Sequence, residues 1–312
     1  MRPVCVLYTG GTIGMIPGAS GLAPDLEFEA TFRAAVPEFD FEWVQIPEPY
    51  DSSVMTQRDW VAIADLIRGR DCGVVVLHGT DTMAYTAAAL SFLLGDLHAP
   101  VVLSGSQIPM QSADSDAVAN VRLALQVARE SPRAEVMIAF GGKVLRGNRA
   151  DKRHAQDFDA FVSPNLPPLD WRVADLQAVP RVGTQVEPVG LIKLHPGIGG
   201  AIVDSFADLS GLVIEAFGSG NVPGEGTSFH AALSRARARG QEIVVVTQCG
   251  AGRLAAGAYQ AGQAVTALGL ISGGDMVTPA AVAKLGWLLA QGLRGPDLAA
   301  QMAAPFAGEC SA

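Results

Sequence analysis

Hydrophobic residues in the first half of the chain form short continuous runs that alternate with segments of helical spacing. A run in which neighbouring residues are all apolar predicts a strand buried on both faces, as in a parallel sheet. An apolar residue at every third or fourth position predicts a helix that buries one face. The runs predict strands from residue 4 and over 44–49, 73–77, 100–104 and 136–140, and the spacing predicts helices from residue 56 and over 84–94 and 117–129.

A second group of strands and helices follows a stretch in which this pattern weakens. Prolines cluster between Phe161 and Pro188, which is typical of a passage between domains. Beyond it the pattern predicts strands over 191–194, 211–216 and 242–247 and helices over 229–239, 278–291 and 296–304. The alternation predicts an α/β protein with a large N-terminal domain, built on a doubly wound, mostly parallel sheet, and a smaller C-terminal α/β domain. We place these domains at 1–182 and 191–312, with a linker at 183–190.

Composition and charge narrow the possible functions. Of the 312 residues, 49% are hydrophobic and 17% are charged, which permits a sizeable core. The net charge of −9 opposes binding to nucleic acid, and no basic amphipathic helix suggests binding to a membrane. No signal peptide, transmembrane run or metal-ligand spacing is visible, so we expect a cytoplasmic protein without a metal site. Its scattered cysteines are then reduced thiols, at positions 5, 72, 249 and 310.

The first predicted strand ends in Gly10, Gly11 and Thr12. The glycines permit a sharp turn and a close approach to a ligand, and Thr12 follows at the carboxyl end of the strand, where open α/β sheets bind their ligands. Its hydroxyl is a candidate nucleophile, although a threonine after glycines also commonly caps a helix or stabilises a turn. A phosphate-binding loop is a poorer match, since neither a Lys-Ser/Thr pair nor a third glycine in the dinucleotide spacing follows.

The segment 17–25 is rich in glycine, proline and serine, which predicts an irregular loop. Because it comes soon after Thr12, it is a candidate lid over a site at that residue. An ordinary surface loop would have the same composition.

The strand predicted at 73–77 ends in the same manner, with glycine followed by threonine, at Gly79, Thr80 and Asp81. Neighbouring parallel strands would place Thr12 and Thr80 at one edge of the sheet. Lys152 follows a later glycine turn, and a lysine that loses its proton can activate a hydroxyl. Taken singly, Asp81 could instead cap a helix and Lys152 could be a solvated surface charge.

A further pair of features suits an α-amino acid as ligand. The carboxylate of Asp81 would pair with an ammonium group. Ser52 and Ser53, with exposed amides at a helix start, would hold a carboxylate. The alternative for the serines is a simple turn closed by their hydroxyls.

These residues resemble the signature motifs of the bacterial-type L-asparaginases. Two threonine motifs in this order are highly specific, and the layout is most similar to the type I, cytoplasmic branch. The matching segments are 8–13, 51–53, 78–83, 103–109, 115–116 with Asn120, 146–149 with Lys152, 218–223 and 273–276.

The resemblance implies a two-domain α/β enzyme that hydrolyses L-asparagine to L-aspartate and ammonia without a metal or cofactor. It implies that Thr12 is a nucleophile that forms an acyl-enzyme, and that Thr80, Asp81 and Lys152 are the second catalytic group. Backbone amides around Gly11, Thr12 and Thr80 would form the oxyanion hole. It also implies a homodimer or a dimer of dimers. The substrate-binding positions that it implies are Gly11, Asp51, Ser52, Ser53, Thr80 and Asp81.

Two departures from the family pattern bear on activity and regulation. Where the family usually has a lid tyrosine in a Gly-Tyr-x-Pro context, this chain has Leu22, which cannot transfer a proton. Some type I members bind asparagine at an allosteric site through an arginine, a threonine and a cysteine. Cys249 matches the cysteine, but the other two positions are Glu215 and Asp151, so we predict no allosteric activation.

Other functions stay open on the sequence alone. A related amidohydrolase could prefer glutamine or D-asparagine, and an amino-acid-binding protein could keep the ligand site with little turnover. The tRNA-linked amidotransferase subunit of similar fold is a poorer match, because it normally carries an extra N-terminal region.

Overall fold

The structure is a computed structural model, and it describes residues 1–18, 21–95, 97–174, 183–254 and 267–311. The chain divides into two compact units, Met1–Arg181 and Val182–Ala312, each with its own sheet. The first unit contains a large, mostly parallel sheet and the second a smaller one, which confirms the predicted fold class. Across the described ranges, no helix combines the length and the apolar character needed to cross a membrane.

The first unit is built on a six-stranded sheet in the order β4-β1-β5-β6-β7-β8, in which only β8 is antiparallel to its neighbour. Its strands are β1 (Val4–Gly10), β2 (Met15–Gly18), β3 (Gly21–Pro24), β4 (Glu42–Tyr50), β5 (Gly73–Leu77), β6 (Val101–Ser104), β7 (Val136–Phe140), β8 (Lys143–Arg146), β9 (Asp151–Lys152) and β10 (Phe161–Val162). Its helices are α1 (Phe28–Ala35), α2 (Gln57–Ile67), α3 (Met83–Leu93) and α4 (Ala117–Glu130).

Every residue of β1, β5, β6 and β7 is buried, because helices cover a doubly wound sheet on both faces. The predicted adjacency of the first strand and the strand at 73–77 is confirmed, since β1 pairs in parallel with β5 from Val4↔Gly73 to Tyr8↔Leu77. The two strands therefore end side by side. Helix α2 starts with a capping box, in which the Asp59 carboxylate accepts a hydrogen bond from the Thr56 amide at 2.6 Å.

The second unit has a parallel sheet in the order β11-β12-β13-β14. Its strands are β11 (Val189–Lys193), β12 (Gly211–Ala216), β13 (Glu242–Thr247) and β14 (Ile271–Ser272). Its described helices are α5 (Ala201–Asp204), α6 (Ser228–Ala238), α7 (Thr278–Ala290) and α8 (Gly295–Ala303). The sequence pattern did not predict β14 or α5, because two and four residues are too few to show a period.

The segment predicted as an irregular loop after Thr12 is instead a β-hairpin. β2 and β3 pair in antiparallel register from Met15↔Pro24 to Gly18↔Gly21, and residues 19–20 lie outside the described ranges. Gly21 has a φ of 124°, which favours glycine at the turn. The prediction was wrong because backbone pairing forms this hairpin, and its mostly exposed strands have no apolar alternation to reveal them.

Helix α1 was not predicted, although its signal is present in the sequence. Phe28 and Phe32 lie four residues apart on one helical face, and both are buried. Their rings pack with Tyr8 and Trp43 at centroid distances of 5.0–6.2 Å. The helix therefore covers the β1 and β4 side of the sheet with an aromatic cluster.

Candidate active site

The turn after β1 brings the ends of three strands together. Gly10 and Gly11 have φ values of 116° and 85°, a backbone conformation that favours glycine. A Cβ atom on Gly10 would collide with the backbone of Tyr50 at the end of β4, and one on Gly11 would collide with Gly79 after β5. Both glycines are therefore required for the close approach, which places the next residue at the junction of these ends.

Thr12 begins a short 3₁₀ turn, Thr12–Gly14, and its side chain is half-buried. Its hydroxyl has no hydrogen-bond partner among the described residues, so the side chain neither caps a helix there nor closes a turn. Of the two interpretations that the sequence left open, the geometry favours a hydroxyl that is available to a ligand.

Thr80, Asp81 and Lys152 form a second cluster next to this turn. Lys152 lies on the two-residue strand β9, and its Nζ donates to Oγ1 of Thr80 at 2.9 Å and to Oδ1 of Asp81 at 2.7 Å. The side chain of Lys152 is 17% exposed and that of Asp81 is 65% exposed. The lysine is thus not a solvated surface charge, because it is held between a hydroxyl and a carboxylate.

The segment 51–53 differs from its prediction. It forms a 3₁₀ turn, Ser52–Val54, ahead of α2, and the Asp51 side chain accepts a hydrogen bond from the Ser53 amide at 2.8 Å. The Ser53 amide, which the sequence predicted as a donor to a carboxylate ligand, is thus bonded to the Asp51 carboxylate. Ser52 is buried and its carbonyl accepts a hydrogen bond from the Thr82 hydroxyl at 2.9 Å, which fixes this serine against the loop that follows β5.

A small polar cavity of about 150 Å³ joins these groups. Seven of the predicted site residues line it, whereas Ser53 does not. The lining residues are Gly11, Thr12, Asp51, Ser52, Gly79, Thr80, Asp81, Gln107, Lys152 and Ala155. In the described part of the chain, no group of three or more histidine, cysteine, aspartate or glutamate side chains is arranged to hold a metal ion.

Sequence reasoning assigned no role to Gln107, Gly79 or Ala155, which also line the cavity. Gln107 follows β6, the strand next to β5, so its position after a strand end is the same signal that identified Thr12 and Thr80. Gly79 belongs to the second threonine motif. Ala155 carries no chemistry in its side chain, and no sequence signal would have found it.

His78 supports the loop that carries Thr80. Its Nδ1 donates to the carbonyl oxygen of Gly79 at 2.7 Å, since that oxygen can only accept, and in the neutral ring Nε2 accepts from the Thr86 hydroxyl at 2.9 Å. Burial lowers the pKa of His78 to about 4, because a charged imidazole would lose its hydration there. The ring is thus a fixed, neutral part of the loop.

None of the tyrosines in the described ranges lines the cavity, so none occupies the position of the missing lid phenol. Tyr8 lies in the core with its hydroxyl 3.4 Å from the Gly14 carbonyl, and burial raises its pKa well above the usual range. Burial and the neighbouring Asp59 raise the pKa of Tyr50 in the same way. Leu22, at the family's tyrosine position, is on β3 with 52% of its surface exposed.

The fold and the sequence together define a hydrolase of the asparaginase type. The chain belongs to the asparaginase family: the family's model for "Asparaginase, N-terminal" matches residues 3–180, and that for "Glutaminase/Asparaginase C-terminal domain" matches residues 188–302.

Known relatives agree with this assignment. The chain is 38% identical to L-asparaginase 1 of Escherichia coli K12, over 99% of this chain and 98% of that protein, which confirms the predicted likeness to the type I branch. The crystal structure of L-asparaginase I from Vibrio cholerae matches with a TM-score of 0.86 and 37% identity, and the match covers 100% of this chain and 99% of that one. A 60 kDa lysophospholipase of Mus musculus is 36% identical over 99% of this chain and 62% of its own length.

Proposed function

We propose that the protein is an L-asparaginase, which hydrolyses the side-chain amide of L-asparagine to L-aspartate and ammonia through an acyl-enzyme on Thr12. One observation carries the proposal: Thr12 and Thr80 line one small polar cavity together with the Lys152–Asp81 ion pair. The name of the Escherichia coli relative, L-asparaginase 1, supports the same substrate.

In the proposed acylation step, Oγ1 of Thr12 attacks the amide carbon of the substrate. A threonine hydroxyl is a weak nucleophile until a neighbouring group accepts its proton. That proton passes to the amide nitrogen, the C–N bond breaks, and ammonia leaves an ester on Thr12. Backbone amides at Gly11, Thr12 and Thr80 are the proposed donors to the oxyanion, and one such donor is typically worth about 3 kcal/mol.

In the proposed deacylation step, water attacks the ester and releases L-aspartate and the Thr12 hydroxyl. The Thr80 oxygen accepts a hydrogen bond from this water and orients it, and the proton that the water loses passes to the Thr12 oxygen as the ester C–O bond breaks. Nζ of Lys152 donates to Oγ1 of Thr80 at 2.9 Å, which holds that oxygen in place and supports this role.

The polar groups around the cavity support an α-amino acid as the ligand. We propose that Asp81 pairs with the ammonium group and that the Ser52 hydroxyl binds the α-carboxylate, with further contacts from Gly11 and Asp51. Pockets for drug-sized ligands usually enclose about 300–1,000 Å³, so a polar cavity of about 150 Å³ suits a single amino acid. A long acyl chain, which the lysophospholipase name of one relative suggests, does not suit it.

The family resemblance further suggests how the enzyme works as a whole. We propose a homodimer or a dimer of dimers that acts in the cytoplasm on a small-molecule substrate, with no cofactor and no nucleic-acid or membrane partner.

The experiment that tests this function is an ammonia-release assay on the purified protein with L-asparagine, D-asparagine and L-glutamine. We expect turnover of L-asparagine, and a loss of about 10³-fold or more in Thr12→Ala, because removing a nucleophile leaves only binding and electrostatic contributions. Thr31→Ala on α1 is the matched control and should stay within about twofold of the wild type.

Three results would contradict the proposal. Near-normal turnover in Thr12→Ala would remove Thr12 from the nucleophile role. Tight L-asparagine binding without ammonia release would favour an amino-acid-binding protein, and faster turnover of L-glutamine or D-asparagine would favour the related amidohydrolase.

A further inference from the structure

Gln107 has its carboxamide fixed in one orientation by the groups around it. Its Nε2 donates to the carbonyl oxygens of Ala155 and Asp157, at 3.2 and 3.0 Å. Both of those oxygens can only accept, so the amide nitrogen must face them and Oε1 must face the other way. On that side Oε1 lies 3.1 Å from Oγ1 of Thr80.

The backbone of Gln107 is held by a buried carboxylate. Asp116 accepts hydrogen bonds from the amide of Gln107, at 3.0 and 3.1 Å, and from the amide of Ile108 at 3.2 Å. Nδ2 of Asn120 donates to the same carboxylate at 3.0 Å. This support fixes the main chain from which the Gln107 side chain extends.

The two carbonyl oxygens belong to a turn that is organised by a histidine. Nδ1 of His154 accepts hydrogen bonds from the amides of Gln156 at 3.2 Å and Asp157 at 2.8 Å. An aspartate or asparagine at the start of a turn bonds nearby backbone amides in a similar way. The exposed His154 ring thus holds the turn that presents the carbonyl oxygens to Gln107.

This arrangement determines where the hydroxyl proton of Thr80 points. Oε1 of Gln107 carries no hydrogen, so the hydroxyl of Thr80 must donate to it. The lone pairs of the Thr80 oxygen are then free to accept from Nζ of Lys152. The hydroxyl therefore has a single orientation while Lys152 carries its full set of protons.

We propose that Gln107 is a positioning residue that aims the hydroxyl of Thr80, and that the turn held by His154 keeps Gln107 in place. The inference deepens the proposed function, since it depends on Thr80 acting in amide hydrolysis. A misdirected hydroxyl slows the chemical step and leaves substrate binding nearly unchanged, so the expected effect is on kcat and not on KM.

The kinetic test is a double-mutant cycle with a conservative rescue. We expect Gln107→Met and His154→Phe each to lower kcat about 10- to 100-fold, the scale of a small misplacement of a catalytic group, with KM within about threefold. His154→Asn keeps an acceptor for the same two amides and should restore most of kcat. In the Gln107→Met background, His154→Phe should have no further effect, because the turn acts through Gln107. His98→Phe, on the surface of the same unit, is the control.

A second measurement does not depend on turnover. The side-chain amide signal of Gln107 in a ¹⁵N NMR spectrum, assigned by its loss in Gln107→Met, should be displaced from the position of a free glutamine. Thr80→Val and His154→Phe should each move it, and His154→Asn should not. Absence of activity in the wild type would count against the proposed function alone, since this spectrum would still test the geometry.

The proposal is overturned by any of three results. The first is a Gln107 amide signal at the position of a free glutamine. The second is a Gln107 signal whose position changes in neither Thr80→Val nor His154→Phe. The third is a double variant in which the separate kcat losses of His154→Phe and Gln107→Met multiply.

Discussion

At the scale of single residues, the surroundings of Lys152 favour the role proposed for it. Its amine donates to Thr80 and to Asp81, and its side chain is mostly buried. Because the Asp81 carboxylate is largely exposed, water screens the ion pair, and such a pair adds only about 0–1 kcal/mol to stability. We infer that the main effect of Asp81 is on orientation, since it holds the amine beside the Thr80 hydroxyl.

His78, in the loop that carries Thr80, makes the stability of the protein depend on pH. In an unfolded chain a histidine has a pKa of about 6.5, whereas burial lowers that of His78 to about 4. Between these values the unfolded chain binds a proton that the folded protein does not. Protonation therefore favours unfolding, and stability falls as the pH falls through this window, by up to about 1.4 kcal/mol per pH unit.

We predict that His78→Gln removes this dependence. The variant should be less stable than the wild type at pH 7, and the difference should shrink by about 2 kcal/mol at pH 5. Urea denaturation at both pH values measures the difference in the free energy of unfolding, with His98→Gln as the control for replacing a histidine that is exposed. A His78→Gln difference equal at both pH values would show that the buried ring does not titrate as described.

At the scale of elements, the hairpin of β2 and β3 lies next to the proposed nucleophile. Directly after β3, the amide of Asp25 donates to the carbonyl oxygen of Gly14 at 2.8 Å, at the end of the turn that Thr12 begins. Leu22 is in this hairpin, where its side chain has no group that transfers a proton. The hairpin is thus present, but it lacks the tyrosine side chain that the family resemblance predicts at position 22.

We predict that Leu22→Tyr raises kcat for L-asparagine by about 10²-fold, the lower end of what a general acid or base contributes. Leu22→Phe adds a ring of the same shape without the hydroxyl and should not raise kcat. Steady-state kinetics with L-asparagine on the wild type and the two variants measures these changes in kcat. If both variants match the wild type, another group already activates the nucleophile.

The elements differ in how far the sequence predicts them, and the reason is physical. β1, β5 and β7 are continuous apolar runs buried on both faces, so the pattern reveals them, and after β1 and β5 it also reveals the threonines that follow. β9 is two residues long and is defined by its pairing with β10, Lys152 opposite Phe161. No local pattern encodes that register. The family resemblance grouped Lys152 with Thr80, and the structure supplies the contact between their side chains.

At the scale of the whole molecule, each unit has its own core, and all the residues that line the cavity belong to the first. In the second unit, Glu215 is on β12 at the position where the family's allosteric site has an arginine. Its carboxylate accepts a hydrogen bond from the Thr278 hydroxyl at 2.6 Å and lies 3.5 Å from Nζ of Lys193. An acidic side chain held in this way repels an amino-acid carboxylate.

We therefore predict a hyperbolic dependence of the rate on L-asparagine, with a Hill coefficient close to one. The Hill coefficient is measured from initial rates over a wide range of L-asparagine concentrations. Two enzyme concentrations are used to exclude effects of assembly. A sigmoidal curve at both concentrations would mean that a second asparagine site exists despite Glu215 and Asp151.

In the proposed mechanism Thr12, and not Thr80, carries the acyl group. The most direct measurement is to mix the protein with L-asparagine, quench with acid within the first turnover, and map the aspartyl adduct by peptide mass spectrometry. We predict an aspartyl ester on Thr12 that is absent in Thr12→Ala. An adduct on Thr80, or ammonia released with no adduct on either threonine, would contradict it.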